Sequence, residues 1–205
     1  MPLVLAAVLF DFGGVITTSP FDAFAAYERE AGLPEGFIRR VNSTNSDHNA
    51  WAQLERNEVD FDEFCVRFEA EAKSLGHTVS AARVFECLQG DLRPEMVEAV
   101  RRCSERLRTA CLTNNVASDS PRHADVLALF DVVVESSRVG IRKPNPRFYA
   151  IACEQLDVEP GRCAFLDDLG INLKPAAAMG MTTIKVVSSE QALTDLERVV
   201  GFALR

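Results

Sequence analysis

The feature that most constrains this sequence is a rhythm. Short apolar runs rich in β-branched residues recur along the chain, and helical periodicity fills the gaps between them. The runs lie at residues 3–10, 109–112, 132–134, 163–166 and 182–187. The first is apolar throughout, the pattern of a strand covered on both faces. Met96, Val97, Val100, Cys103 and Leu107 share one helical face, and Phe148, Ile151, Ala152, Gln155 and Leu156 share another behind Pro146. A further helix is expected over residues 172–179, with Gly180 as its stop. Strand–helix alternation of this kind predicts an α/β fold built on a parallel sheet.

Residues 20–90 break the rhythm. They contain no convincing strand and read as four or five helices, at 21–31, 35–41, 49–56, 61–75 and 80–88. A helical block of about seventy residues is too long for an ordinary crossover between strands. The expectation is an inserted helical subdomain over 17–90, hinged near 16–20 and 89–93, with the α/β core formed by 1–16 and 91–205.

A chain of 205 residues, 47% of them hydrophobic, can bury a sizeable core without disulfides. Its six cysteines form no CxxC pattern and mostly sit in apolar runs, as reduced core residues do. They suit a reducing compartment. The apolar start MPLVLAAVLF lacks a basic n-region and ends at Asp11, and no later run reaches the length of a membrane span. The expected location is therefore cytoplasmic. The net charge of −8 is the wrong sign for a general nucleic-acid or anionic-membrane binder. A small anionic ligand remains compatible, because a few cations in a pocket outweigh the global charge locally.

The residues that follow each strand carry the chemistry. The first run ends in Asp11, then Phe12-Gly13-Gly14, and the second in Thr113-Asn114-Asn115. After the third comes Gly140-Ile141-Arg142-Lys143-Pro144, and the fourth ends in Asp167-Asp168, with Asn172 close behind. In an open parallel sheet, ligands bind beyond the carboxyl ends of the strands, so these clusters are expected to converge. Adjacent acids such as Asp167-Asp168 repel each other unless a cation lies between them. Carboxylates suit Mg²⁺, a hard cation that prefers oxygen ligands. A hydroxyl and an ammonium suit the oxygens of a phosphate. Lysine is scarce here, four against 18 arginines, which singles out Lys143.

This ordered set resembles the haloacid dehalogenase superfamily over nearly the whole chain. FDFGGV, LTNN, the lysine of GIRKPNP and FLDDLGIN look like its four motifs, and the helical insertion looks like its cap. Within the superfamily, the stretches VVVESSRVGIRKPNPRFY and FLDDLGINLKPAAAMGMTTIKV resemble the phosphatase domain of soluble epoxide hydrolases. WAQLERNEVDFDEF and VVGFALR look closer to the domain fused to certain acyl-CoA dehydrogenases. The resemblance implies a Rossmann-like sheet of order 5-4-1-2-3 and a Mg²⁺-dependent phosphatase acting on a small phosphorylated substrate, as a monomer or homodimer. It implies Asp11 as nucleophile, with Thr113 and Lys143 cradling the phosphoryl oxygens. Mg²⁺ would be held by Asp11, the Gly13 carbonyl and Asp168. Phe12, Gly13, Asn114, Asp167 and Asn172 complete the phosphate-binding set, with Asp167 and Asn172 orienting Lys143 and waters.

One position departs from the pattern. Phosphatases of this superfamily usually carry a second Asp two residues after the nucleophile, as proton donor, where this chain has Gly13. Proton transfer of that kind is worth about 10²–10⁴ in rate. The departure leaves three readings: substrates with good leaving groups, a proton from Asp47, His48 or Glu55 of the insertion, or a catalytically weak domain that binds a phosphorylated ligand. A metal-independent haloacid dehalogenase ranks below these, because it leaves Asp167-Asp168 unexplained. A phosphonatase wants a cap lysine for a Schiff base, and the insertion offers only Lys73. Residues 42–49 (NSTNSDHN) are a candidate specificity loop, followed by Trp51, read as packing within the insertion. His77 and His123 are given no role.

Overall fold

The computed structural model describes residues 5–118 and 122–205. Its centre is one five-stranded sheet made of β1 (Ala7–Phe10), β2 (Arg108–Thr113), β3 (Val132–Glu135), β4 (Cys163–Asp167) and β5 (Thr182–Lys185). Every pairing is parallel, and the order is β3-β2-β1-β4-β5, the expected order read from the other edge. The first apolar run yields a shorter strand than expected. Its residues 3 and 4 lie outside the described residues, and Leu5 and Ala6 precede the strand.

The side chains of β1 alternate between two cores, which is why the whole run is apolar. Val8 and Phe10 pack with α6 (Pro94–Ser104) and α11 (Ser189–Val200), through Met96, Val100, Leu193 and Leu196. Ala7 and Leu9 pack on the opposite face with α9 (Pro146–Leu156) and α10 (Gly170–Ala178), through Phe148, Tyr149 and Ala176. Helices α9 and α11 each have a sequence-encoded start. Asn145 caps α9 ahead of Pro146 by accepting from the Arg147 N–H, and Ser188 caps α11 by accepting from Gln191. Two one-turn helices, α7 (Ala124–Leu127) and α8 (Ser136–Val139), are too short for periodicity to reveal.

The helical block consists of α1 (Phe21–Glu30), α2 (Phe37–Ser43), α3 (Ala50–Glu55), α4 (Phe61–Ser74) and α5 (Ala81–Glu86). It has its own apolar cluster, in which Trp51 lies edge-on to Phe64 and Phe68 at 5.2 and 6.0 Å. Helix α2 starts two residues later than the periodicity suggests, because Gly36 enters the left-handed region at φ 73° just before it. The short helices of this block borrow acceptors for their first N–H groups from neighbouring helices. Glu28 accepts from Gly36 and Ile38, both at 2.8 Å, Glu71 from Ala50 at 2.8 Å, and Glu69 from Ala81 at 3.0 Å. A carboxylate there also meets the positive end of the helix dipole.

The two chain crossings between this block and the sheet run side by side. Thr17 and Leu92 form an antiparallel bridge, the Thr18 N–H donates to the Asp91 carbonyl at 2.8 Å, and the Arg93 N–H to that of Ile16 at 2.9 Å. Gly90 allows the close approach, since a Cβ there would lie 2.6 Å from the Thr18 carbonyl oxygen. Among the described residues no helix is long and apolar enough to cross a membrane. All six cysteines are free, and Cys103, Cys111, Cys153 and Cys163 are buried.

Candidate active site

The carboxyl ends of β1, β2 and β4 meet at one place. Phe10 is in register with Cys111 on one side and Leu166 on the other, and the Asp11 N–H donates to the Leu166 carbonyl at 2.9 Å. Asp11, Asp167 and Asp168 therefore emerge together, with one carboxylate oxygen of each within 4.8 Å of the others. Thr113 ends β2 at the same edge, half-buried.

Lys143 enters this acidic group from the loop after α8. Its ammonium lies 2.7 Å from Asp11 Oδ1 and 2.9 Å from Asp167 Oδ2, and the side chain is only 1% exposed. Asp167 is further fixed by Asn172, whose Nδ2 donates to both of its oxygens at 3.1 Å, and by the Leu169 N–H at 2.8 Å. Asn172 is held in turn by the Tyr149 hydroxyl, which donates to its carbonyl at 2.7 Å. On Asp11, Oδ1 accepts both from Lys143 and from the Phe12 N–H at 2.7 Å. Among the described residues nothing donates to Oδ2, which leaves it as the oxygen open to a ligand.

The electrostatics follow from burial. Burial raises the Asp11 carboxyl well above the usual range. Lys143 opposes that rise, while Asp167 and Asp168 add to it. Burial, and then Asp167, raise Asp168 as well, against Lys143 and the Ser19 hydroxyl that donates to it at 3.4 Å. Burial alone would pull Lys143 down, but Asp11 and Asp167 outweigh it and hold the ammonium above its ordinary value. Three carboxylates face one ammonium here, an excess of two negative charges. A divalent cation with oxygen preference balances that excess.

The backbone of the first motif is shaped to the same end. Gly14 adopts φ +78°, and a Cβ there would run into the Asp168 carboxylate. The Phe12 carbonyl accepts from Ile16 and Thr17, and the Gly14 carbonyl from Arg93 at 3.0 Å. None of the described residues donates to the Gly13 carbonyl, and Asp11 and Asp168 offer the oxygen donors a divalent cation prefers. Nothing lies within 4 Å of where a Gly13 side chain would begin.

Several residues sit differently from the expectation. The Asn114 amide is engaged at both ends by the Lys143 backbone: Oδ1 accepts from its N–H at 2.9 Å, and Nδ2 donates to its carbonyl at 3.1 Å. It fixes the lysine loop. The Phe12 N–H turns back onto Asp11, and the Phe12 ring lies 6.0 Å from that of His123. His77 is an aromatic neighbour of Phe37. Of the three proton-donor candidates, Asp47 and His48 are exposed. Glu55 is buried and already paired, accepting from the Trp51 indole at 3.0 Å and lying 2.6 Å from Arg142 Nε. Burial raises its carboxyl, with Arg142, Trp51 and Lys143 acting against the rise.

The sequence reading missed Asn115. Its Nδ2 donates to Glu135 at 2.8 Å, its Oδ1 accepts from the Ser137 hydroxyl at 2.9 Å, and its N–H donates to Ser136 Oγ at 2.9 Å. These bonds tie the end of β2 to the end of β3. The available signal was a run of polar residues, Glu135-Ser136-Ser137, directly after the apolar run 132–134.

Fold and site together define a class, the α/β proteins in which a parallel sheet gathers an aspartate at the end of its first strand with an acidic pair at the end of a neighbouring one. The sequence profile of the haloacid dehalogenase-like hydrolases matches residues 5–180, and the chain belongs to that family. It is 35% identical to Acyl-CoA dehydrogenase family member 10 of Mus musculus, and 29% identical to Bifunctional epoxide hydrolase 2 of Sus scrofa. Those matches cover 97% and 98% of this chain but only 19% and 40% of the relatives, so the chain spans less than half of either. Phosphatase MT3486 of Mycobacterium tuberculosis is 32% identical, with 91% of this chain and 89% of that protein covered. Among solved structures, a haloacid dehalogenase family enzyme of Bacteroides thetaiotaomicron, in complex with magnesium and inorganic phosphate, shares the fold. Its TM-score is 0.61 at 17% identity, over 88% of this chain and 93% of that one.

Proposed function

We propose that this chain is a Mg²⁺-dependent phosphatase that works through an aspartyl-phosphate on Asp11. The observation that carries the reading is Asp11 itself. It is a buried carboxylate with one oxygen held by Lys143 and the other open, beside two acids that leave room for a divalent charge. The phosphatase name of the mycobacterial relative supports the same reading.

Asp11 Oδ2 would attack phosphorus in line, forming an acyl-phosphate bond as the bond to the leaving oxygen breaks. Water would then attack the same phosphorus, releasing phosphate and restoring the carboxylate. Lys143 and Thr113 hold phosphoryl oxygens, and Asp167 with Asn172 keeps the ammonium aimed. Asp11, Asp168 and the Gly13 carbonyl are the residues that would hold Mg²⁺, which neutralises charge between carboxylate and phosphoryl group. Gly13 supplies no proton, so the leaving group departs unassisted from that position. The best substrates are therefore acyl or sugar 1-phosphates, or other esters of acidic alcohols.

The test is hydrolysis of acetyl phosphate and p-nitrophenyl phosphate, with Mg²⁺ and with EDTA, by wild type and Asp11→Asn. The expected result is Mg²⁺-dependent turnover that falls by about 10³-fold or more in the variant. A second reading, a phosphate-ligand-binding domain with little turnover, is favoured by Gly13 alone. It would be established by tight phosphate binding without hydrolysis of either ester.

A further inference from the structure

Arg142 is a cation next to Lys143 that the chemistry above leaves unused. Its Nε lies 2.6 Å from Glu55 Oε2 as an ion contact without hydrogen-bond alignment, and its Nη1 donates to the Ser46 carbonyl at 2.8 Å. Both partners belong to the helical block: Glu55 ends α3, and Ser46 lies in the polar stretch 42–49. Glu55 Oε1 accepts from Trp51, which packs against Phe64 and Phe68 of α4. A continuous path of contacts therefore runs from the core of the insertion to the residue beside Lys143. On its other side that same backbone is pinned by Asn114.

The pair is largely withdrawn from water, with side-chain exposures of 21% for Arg142 and 10% for Glu55. An ion pair so placed loses much of its Coulombic gain to desolvation, and two apolar residues would join the surfaces at least as strongly. What the charged pair adds is geometry. Arg142 meets the helix and the loop at two points, which fixes how the insertion sits over the lysine loop.

We propose that Arg142 and Glu55 form the clasp that holds the insertion closed over Lys143. They are positioning residues, and through them the stretch 42–49 is presented to the substrate's leaving group. The proposal rests on the reading of this site as a phosphoryl site. Breaking the clasp lowers the fraction of molecules in the closed state, and the binding constant weakens by that fraction.

The experiment compares wild type, Glu55→Gln, Arg142→Gln and the double variant, with acetyl phosphate as substrate and inorganic phosphate with Mg²⁺ as ligand. Each single variant is expected to raise KM about tenfold while kcat stays within about threefold, and the double variant to do no worse than either single. Trp51 is the only tryptophan, so acrylamide quenching reads the clasp without turnover. Quenching should rise at least about twofold in Arg142→Gln and fall back when phosphate and Mg²⁺ are added. Should Arg142→Gln fold poorly, Arg142→Lys keeps the charge and loses the two-point contact; a smaller KM rise is expected. Unchanged KM and quenching with only a lower melting temperature, or additive single effects, overturns the clasp. Wild type that neither hydrolyses nor binds phosphate overturns the phosphatase reading. Quenching in Arg142→Gln then still decides whether the clasp exists.

Discussion

Carboxylates meet opposite fates in the two halves of this molecule. In the helical insertion, Glu28, Glu69 and Glu71 each accept backbone N–H groups at the start of a neighbouring helix. There the negative charge meets donors and a favourable dipole, and it satisfies N–H groups that the helices' own caps do not reach. At the sheet edge, Asp11, Asp167 and Asp168 converge, the first two on the Lys143 ammonium, and keep charge in excess. The insertion uses acids to hold itself together, whereas the core stores unbalanced charge where a ligand is to bind. Sites of that kind cost stability, and the rest of the fold must supply it.

The largest effect that tests this contrast is at Lys143. Lys143→Met leaves Asp11 and Asp167 buried without their cation, a loss of about 3–5 kcal/mol in unfolding free energy. Turnover of acetyl phosphate should fall by about 10²–10³ as well. Urea unfolding and initial rates measure the two. A stable, active Lys143→Met protein would show that the acids are not held against their charge.

Gly13→Asp sharpens the comparison from the side of catalysis. The space beyond Gly13 is open, so the new carboxyl has room at the mouth of the site. Hydrolysis of an alkyl phosphate such as glycerol 2-phosphate, whose alkoxide leaves poorly without a proton, should rise about tenfold or more, within the range of general acid help. Acetyl phosphate, whose leaving group needs no proton, should gain much less. Equal gains for both esters would mean the new group acts by something other than proton transfer.

Glu28→Ala probes the insertion. It strips the acceptor from two N–H groups, that of Ile38 buried, and should cost about 2 kcal/mol in stability. The kinetic constants of the folded enzyme should not change. A slower enzyme would mean that the caps and the site are not separate uses of charge.

These contrasts were unequally legible in the sequence. Asp11, Asp167 and Asp168 could be read because a parallel sheet gathers its strand ends, and Asp11 and the Asp167-Asp168 pair each follow an apolar run. Lys143 could be read because lysine is rare here and Pro144 and Pro146 follow it. Glu28, Glu69 and Glu71 could not, because their partners are set by how helices pack, and along the chain they look like solvated charges. Arg142 and Glu55 meet only after the insertion folds over the sheet. Asn114 looked like a ligand contact because it follows a strand end, yet the Lys143 backbone takes up its amide. The one-turn helices α7 and α8 carry no periodicity to detect.

The smallest effect is the most direct measure of stored charge. Asp168 is the acid of the three with no contact to Lys143, and the one side chain that donates to it among the described residues is Ser19, at 3.4 Å. Asp168→Asn removes one of the like charges and keeps the shape. Without metal, the variant should therefore be more stable than wild type by on the order of 1 kcal/mol, the scale on which neighbouring carboxylates act. For a chain of this size that is about 2–4 °C in melting temperature. Wild type should itself rise on adding Mg²⁺, by about 2.7 kcal/mol when the ion is a hundredfold above its Kd. The variant should lose most of that rise. A variant that melts lower than wild type in EDTA would mean that Asp168 is a structural acid like those of the insertion, and the contrast between the two halves would fail at its clearest point.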